Sequence, residues 1–192
     1  LVEARALNAL NIAEVIKLKV EVVRELRRRI ERKDVENSIR DFIAKNPWLI
    51  AGRWELFKKE TRLDRLLGDA AKEAGLDADP DMAKRIDLAL SSGKQLLILE
   101  FMRPGLSLNH DHVSRFQLYV FTIREKLRAE THLGLADVSG LLVADKIDQK
   151  IGMSGLLESL AREGMDATTW DVLLKSAELE FEEYLDILVE RS

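Results

Sequence analysis

The stretch from Arg85 to Gly105 constrains the fold most, because it predicts two strands joined by a tight turn. Residues 86–90 alternate apolar with polar or small side chains, which is the period of a half-buried strand. Ser-Ser-Gly at residues 91–93 supplies the turn. Residues 96–99 are all apolar, as in a strand that is buried on both faces. The sequence therefore predicts a hairpin whose second strand lies inside a core.

The second strand carries a carboxylate, Glu100, into this apolar setting. A buried charge is costly unless a partner satisfies it, and such groups are seldom buried without one. We expect Asp87 on the first strand to lie beside Glu100, with both carboxylates on one face of the sheet. Two adjacent carboxylates favour a divalent cation, so the hairpin predicts a metal site. The alternative for Asp87 is an ion pair with Lys84 or Arg115.

Composition limits the remaining possibilities. The 192 residues suffice for one sizeable domain with an extension, and 46% of them are hydrophobic, which permits a real core. The net charge of −4 gives no overall cationic signal, so any surface for nucleic acid must be local. The chain has no cysteine, which excludes disulfides and thiolate zinc sites and leads us to expect a cytoplasmic protein. No apolar run reaches about 18 residues, so we expect no membrane span.

Residues 1–33 predict one long helix, because Val2 to Lys33 contains neither glycine nor proline. Apolar residues recur there at three- and four-residue steps, as in a heptad-like seam. The seam consists of Ile12, Ile16, Val23, Leu26 and Ile30, and Val15, Leu18 and Val22 widen it. We assign residues 1–33 as a helix that pairs with a second copy or an upstream domain, and residues 34–192 as the main domain. The chain begins at Leu1, and we expect it to be part of a longer protein.

The same helix ends in a basic run: Arg24, Arg27, Arg28, Arg29, Arg32 and Lys33. Cations at a helix C-terminus are favoured by the helix dipole, and this is the interpretation we prefer. A phosphate-facing edge is the alternative.

From residue 34 onward, apolar periodicity predicts alternating helices and strands. The predicted helices span 35–45, 61–74, 111–128, 154–163 and 177–190, and the predicted strands lie at 54–58, 86–90, 96–100, 138–144 and 170–174. A hairpin followed by a helical crossover to another strand gives a mixed sheet. The expected class is α/β, with a mixed central sheet flanked by helices and a long N-terminal helix.

The residues of the predicted hairpin resemble a motif of a known protein family. Asp87, twelve intervening residues and then Glu100-Phe101-Met102 resemble the catalytic hairpin of the PD-(D/E)XK nuclease superfamily. The predicted order also resembles the restriction-endonuclease-like αβββαβ core. The helix ending in Asn46-Pro47-Trp48 and the segment Glu-Phe-x-Arg-Pro-Gly are similar to the Shedu-like branch. The resemblance covers residues 34 to 190, and similar domains stand at the C-terminal end of larger proteins.

The resemblance implies roles for five residues. Asp87 and Glu100 would be ligands of Mg²⁺ in a phosphodiesterase site acting on DNA or RNA. Glu36 matches an acidic residue that some members add from the first helix. Arg115 and Tyr119 match a Gln-x-x-x-Tyr motif, with arginine in place of glutamine. The literal Pro80-Asp81 lies in an irregular acidic loop, and we do not assign it to the site.

One position departs from the family pattern, because Met102 stands where the motif has lysine. Residues 100 and 102 of a strand face the same side, so methionine removes the cation that would meet the attacking water or the phosphate. Arg103 points to the other side. Arg115 is the better substitute, although a guanidinium is a poor proton acceptor.

Two histidines flank Asp111 and raise the question of another metal site. His110 and His112 diverge on a helix, so we favour a capping turn.

Three interpretations of function remain: a nuclease-like domain with a divergent or inactive site, which we favour, an active Mg²⁺-dependent nuclease, and a non-catalytic interaction or oligomerisation module.

Overall fold

The computed structural model describes residues 2–34, 36–50, 55–56, 61–75 and 88–190. Asp87, the acidic loop at 77–81 and the ends of the strand expected at 54–58 lie outside the described residues. The described helices are α1 (Val2–Glu31), α2 (Glu36–Lys45), α3 (Thr61–Glu73), α4 (His110–Ala129), α5 (Met153–Arg162) and α6 (Trp170–Glu190). The described strands are β1 (Glu55–Leu56), β2 (Leu88–Ser92), β3 (Gln95–Phe101), β4 (Ser107–Leu108), β5 (Asp137–Ala144), β6 (Lys146–Ile147) and β7 (Met165–Thr169). Short 3₁₀ turns lie at Pro47–Leu49 and Thr131–Leu133.

Five of these strands form one open mixed sheet in the order β1-β2-β3-β5-β7. β1 pairs antiparallel with β2, and β2 pairs antiparallel with β3. β3, β5 and β7 run parallel, because α4 and α5 provide the crossovers between them. β4 and β6 form a separate parallel pair. The prediction of an α/β fold with a mixed sheet flanked by helices is confirmed.

The hairpin of β2 and β3 is tighter than the sequence suggested. Ser91 and Ser92 belong to β2, where they pair with Leu96 and Gln95, so the expectation that they form the turn was wrong. Gly93 and Lys94 alone make the connection. Gly93 has a φ of 60°, a left-handed conformation that glycine adopts without strain and that two-residue hairpin turns require.

Both faces of the sheet are covered, which explains the unbroken apolar run in β3. Leu96, Ile98 and, just after the strand, Met102 are buried with residues of α3, α4 and α5. Leu97, Leu99 and Phe101 are buried on the opposite face with residues of α1, α2 and α6. β3 is therefore buried on both faces, as its sequence predicted, and it is the middle strand of the five-stranded sheet.

α1 is a single helix that contacts its own domain along its second half. Ile16, Val23 and Leu26 of the predicted seam are buried against α2 and α6. Arg27 binds Glu178 of α6, with 2.9 Å between Nη2 and Oε2. None of the helices among the described residues is both long and apolar enough to cross a membrane.

One secondary-structure prediction for the C-terminal region was wrong. Residues 170–174 were expected to form a strand, but Trp170 begins α6 and the strand is Met165–Thr169. β7 is an edge strand next to β5, and most of its residues are polar or small, so it lacks the apolar signal on which the prediction relied. Thr169 Oγ1 accepts a hydrogen bond from the backbone N–H of Val172 at the start of the helix.

Candidate functional site

Glu100 is the buried carboxylate of the sheet, with a relative exposure of 1%. It is the penultimate residue of β3 and pairs with Leu142 of β5. Strand alternation places it between Ile98 and Met102, on the face that α4 covers. Glu100 takes part in at least one polar or ionic contact, as a buried charge requires.

The second carboxylate of the predicted metal site is Asp87, which lies outside the described residues. The antiparallel pairing of β2 with β3 is confirmed, and Leu88 opposite Leu99 is its last described pair on this side. The prediction that Asp87 and Glu100 share a face stays a prediction. Glu36 is the first residue of α2, and its side chain also lies outside the described part of the chain.

Met102 is a packed core residue. Its side chain is buried in the cluster that contains Leu108, Val113 and Ala144. Its backbone N–H donates to the carbonyl of Val143 at 2.8 Å, which continues the pairing of β3 with β5 by one residue. The position of the missing motif lysine is therefore filled by apolar packing.

α4 carries the polar stripe that was predicted above the sheet. His112 and Tyr119 are buried, Tyr119 in the same cluster as Met102, and Arg115 is half-buried. Each of the three makes at least one hydrogen bond, ion pair or ring contact. These residues lie on α4, the helix that covers the Glu100 side of the sheet. The predicted polar stripe and the buried carboxylate are therefore on the same side of the sheet.

His112 has a capping role, as the sequence favoured. The Asn109 side chain accepts from the backbone N–H of His112 at 3.0 Å, and His112 Nδ1 accepts from the backbone N–H of Asn109 at 3.3 Å. This is a capping box at the start of α4. Because Nδ1 accepts this hydrogen bond, the neutral ring carries its proton on Nε2.

One of the two predicted Mg²⁺ ligands, Glu100, lies among the described residues. Within the described ranges, no three histidine, aspartate or glutamate side chains are grouped so that they could hold a metal ion. Of the two predicted ligands, Glu100 alone is described, and its buried carboxylate is the type of oxygen ligand that Mg²⁺ takes.

The carboxyl edge of the parallel strands holds a polar group that the sequence interpretation missed. Asp145 follows β5, and its Oδ2 accepts a short hydrogen bond from the backbone N–H of Gly105. Asp145 Oδ1 and Trp170 Nε1 are buried without a hydrogen-bond partner in the described structure. Ala144 pairs with Thr169, so Asp145 and Trp170 leave adjacent strands side by side. An aspartate directly after a buried parallel strand is the signal that could have identified this edge.

The basic end of α1 is largely engaged in contacts within the chain. Arg27 also lies 3.5 Å from Asp171, and these contacts, chiefly the hydrogen bond to Glu178, raise the pKa of Arg27. Arg29 binds Glu25 and the hydroxyl of Ser38. These two arginines serve helix packing, whereas Arg24, Arg32 and Lys33 are exposed.

Comparison with known proteins adds no assignment: no family model, no curated protein and no solved structure matches the chain.

Proposed function

We propose that this chain contains a PD-(D/E)XK-type domain that handles nucleic acid, with a site that has diverged and cleaves weakly or not at all. The observation that carries the proposal is Glu100, a carboxylate buried at the end of the middle strand beneath a helix with a polar stripe. A buried charge at such a place normally has a functional or ionic partner.

The order of elements supports the same proposal. α2, β1, β2, β3, α4 and β5 follow one another as in a restriction-endonuclease-like αβββαβ core, with α3 inserted between β1 and β2 and the short β4 between β3 and α4. β1, β2, β3 and β5 are also neighbours in the sheet in that order. A fold by itself does not define an activity, so the function depends on the residues of the proposed site.

In this proposal Asp87 and Glu100 would hold Mg²⁺, and Glu36 would extend the acidic group. Bound Mg²⁺ would neutralise the charge that develops on phosphate and activate a water. Arg115 binds a phosphate oxygen, because a guanidinium is a good phosphate ligand but a poor base. Tyr119 lies on the same helix as Arg115 and completes the proposed site. Met102 leaves the site without the usual lysine, and removing one positioned electrostatic group costs about 10²–10³ in rate.

Binding is the first test. Fluorescence anisotropy with single- and double-stranded DNA and with RNA, in Mg²⁺ and in EDTA, should show binding that depends on the metal and weakens with salt. Arg115→Ala should weaken binding and reduce the salt slope by about 1, as expected for one lost phosphate contact. Arg128→Ala, at the far and exposed end of α4, is the matched control and should change neither. Absence of binding to every substrate would overturn the proposal.

Cleavage is the second test. The unmodified chain should cleave little, and Glu100→Gln should remove the metal dependence of binding. Strong cleavage by the unmodified chain that Glu100→Gln abolishes would identify an active nuclease and overturn the divergent-site part of the proposal.

The cytoplasmic location stays a prediction from the cysteine-free composition.

Restoring the lysine is a sharper test because Met102 is buried. Met102→Lys places an ammonium on the same face as Glu100, and a buried charge without a partner costs about 3–5 kcal/mol. We therefore expect Met102→Lys to destabilise the fold, and to do so more in a Glu100→Gln background, with a coupling of about 1–3 kcal/mol. Met102→Leu conserves volume and should show no such coupling. If Met102→Lys lowers the free energy of unfolding equally with Glu100 and with Glu100→Gln, the side chains at 102 and 100 do not interact. The proposed geometry of the site would then be wrong.

A further inference from the structure

α1 ends in a turn that glycine usually closes, and here the residue in that position is Lys33. The backbone N–H of Lys33 donates to the carbonyl of Ile30, and that of Asp34 donates to the carbonyl of Arg29. These two hydrogen bonds form a Schellman motif, in which the residue after the helix adopts a left-handed conformation. Lys33 has a φ of 54°, and among the described residues no other residue except glycine has a positive φ. A side chain in this conformation costs stability, and residues of this kind cluster at functional sites.

The side chain of Lys33 lies against the loop that follows β3. Its Nζ and Cε atoms lie 3.8 Å and 3.9 Å from the position that a Cβ atom would take on Gly105. Gly105 belongs to a tight turn in which the backbone N–H of Leu106 donates to the carbonyl of Arg103 at 3.2 Å. The turn starts three residues after Glu100, where the parallel strands end, and ligands of open α/β sheets bind outside this edge. The exposed Lys33 therefore places its ammonium next to the end of the strand that carries the candidate site.

The packing of α1 does not explain the Lys33 ammonium. No hydrogen bond or ion pair joins it to another of the described residues, whereas Arg27 and Arg29 are held by such contacts. The helix dipole favours cations that lie within the last turn, and Lys33 comes two residues after α1 ends at Glu31. Within the described chain, this cation therefore remains for a ligand.

The end of α1 around Lys33 is cationic, although the chain as a whole carries a net charge of −4. Between residues 21 and 33 the exposed carboxylates are Glu21 and Glu31. The exposed cations outnumber them and are Arg24, Arg28, Arg32 and Lys33. The three arginines recur at steps of four residues, so they lie along one side of the helix at intervals of about 6 Å. Such a row fits the repeated phosphates of a nucleic-acid strand better than a single compact anion.

We propose that the C-terminal end of α1 binds backbone phosphates of a nucleic acid through Lys33 and Arg32. Arg28 already contacts Glu25 at 3.2 Å and is not assigned to this surface. The inference rests on the proposed function for its partner, and it adds a second surface because α1 packs on the face of the sheet opposite to α4. A strand that reaches both Lys33 and Arg115 crosses the carboxyl edge of the sheet. The contact at Lys33 requires no metal, so it persists in EDTA.

Lys33→Gly tests the surface because stability and binding should change in opposite directions. Glycine is the preferred residue in this left-handed position, so the urea midpoint of unfolding should rise. In fluorescence anisotropy with the DNA and RNA probes described above, the affinity should fall. The slope of log K against log salt should decrease by about 1, as expected for one lost phosphate contact. Lys33→Arg keeps the cation and should keep the affinity. Unchanged binding by Lys33→Gly, or a loss of stability together with binding, would overturn the inference.

Arg162→Ala is the matched control, because this exposed arginine ends α5 at the opposite, amino edge of the sheet, and it should change neither affinity nor slope. Measurements in Mg²⁺ and in EDTA separate this inference from the proposed function. If Lys33→Gly weakens binding in both and Arg115→Ala and Glu100→Gln have no effect, the α1 surface stands and the proposed site is wrong. If Arg115→Ala weakens binding and Lys33→Gly does not, the proposed site stands and this inference is wrong. A chain that binds none of the probes contradicts both.

Discussion

Gly140 of β5 gives the most direct test of how α4 packs on the sheet. A Cβ atom at this position would lie 2.7 Å from Cζ and 2.9 Å from Cε1 of Phe116, and 3.0 Å from Cγ2 of Val120. Ordinary contacts of this kind begin at 3.4 Å, so the ring would have to retreat by about 0.7 Å. Phe116 and Val120 are fully buried, so the ring can move only by displacing its packed neighbours or α4 itself.

The cost of Gly140→Ala follows from two opposing effects. Overpacking a buried site costs about 1–3 kcal/mol. Replacing a glycine inside a strand returns about 0.5–1 kcal/mol, because the unfolded chain loses freedom. The two effects together give a fall in the free energy of unfolding of about 0–2.5 kcal/mol, and the 2.7 Å approach to Phe116 Cζ places the expected value in the upper half of that range.

Urea denaturation measures this change, and Gly68 is the matched control. Gly68 lies within α3 with no heavy atom within 4 Å of an added Cβ. Gly68→Ala should stabilise the chain by about 0.5–1 kcal/mol, so the two substitutions have opposite signs. In a double-mutant cycle, Phe116→Leu should relieve the Gly140→Ala clash and give a favourable coupling of about 1 kcal/mol.

The reasoning would be refuted by a neutral or stabilising Gly140→Ala, or by independent effects of the two substitutions. Either result would mean that Phe116 does not lie over Gly140. α4 would then not sit where the candidate site needs it, because Arg115 and Tyr119 are carried by the same helix.

Three further predictions concern local features. Asn109→Ala removes the cap of α4 and should lower the free energy of unfolding by about 1 kcal/mol in the same urea titrations. Gly105→Ala should cost about 1–3 kcal/mol because φ is 97° there, and a cost below 0.5 kcal/mol would contradict that conformation. The pKa of Asp171 lies below its ordinary value of 3.8, first because of its hydrogen bond to Lys175 and then because of Arg27. The ionised Asp171 carboxylate stabilises the fold above about pH 4, and this stabilisation is lost as the pH falls through the lowered pKa. In Asp171→Asn the free energy of unfolding should therefore fall less steeply below about pH 4.

Local sequence determined the elements whose signal is strong and short in range. The alternation before Gly93 and the apolar run after it predicted the hairpin, because a strand buried on both faces leaves no polar positions. The absence of glycine and proline predicted α1, and the positions of His110 and His112 favoured a capping turn, in which the structure makes Asn109 the cap. The burial of Glu100 also followed from its neighbours along the chain. These features depend on residues within a few positions of one another.

Tertiary structure alone decided the features that depend on distant partners. β7 is a strand because β5 pairs with it, and its own residues carry little apolar signal. The apolar residues of α1 occupy a wide face, and only the positions of α2 and α6 determine which of them are buried. Met102 is a core residue because the folded chain buries it in the cluster that also contains Leu108, Val113 and Ala144, although its place in the motif suggested a site residue. Asp145 meets Gly105 from 40 residues away, a contact that local pattern cannot encode because it depends on the register between strands.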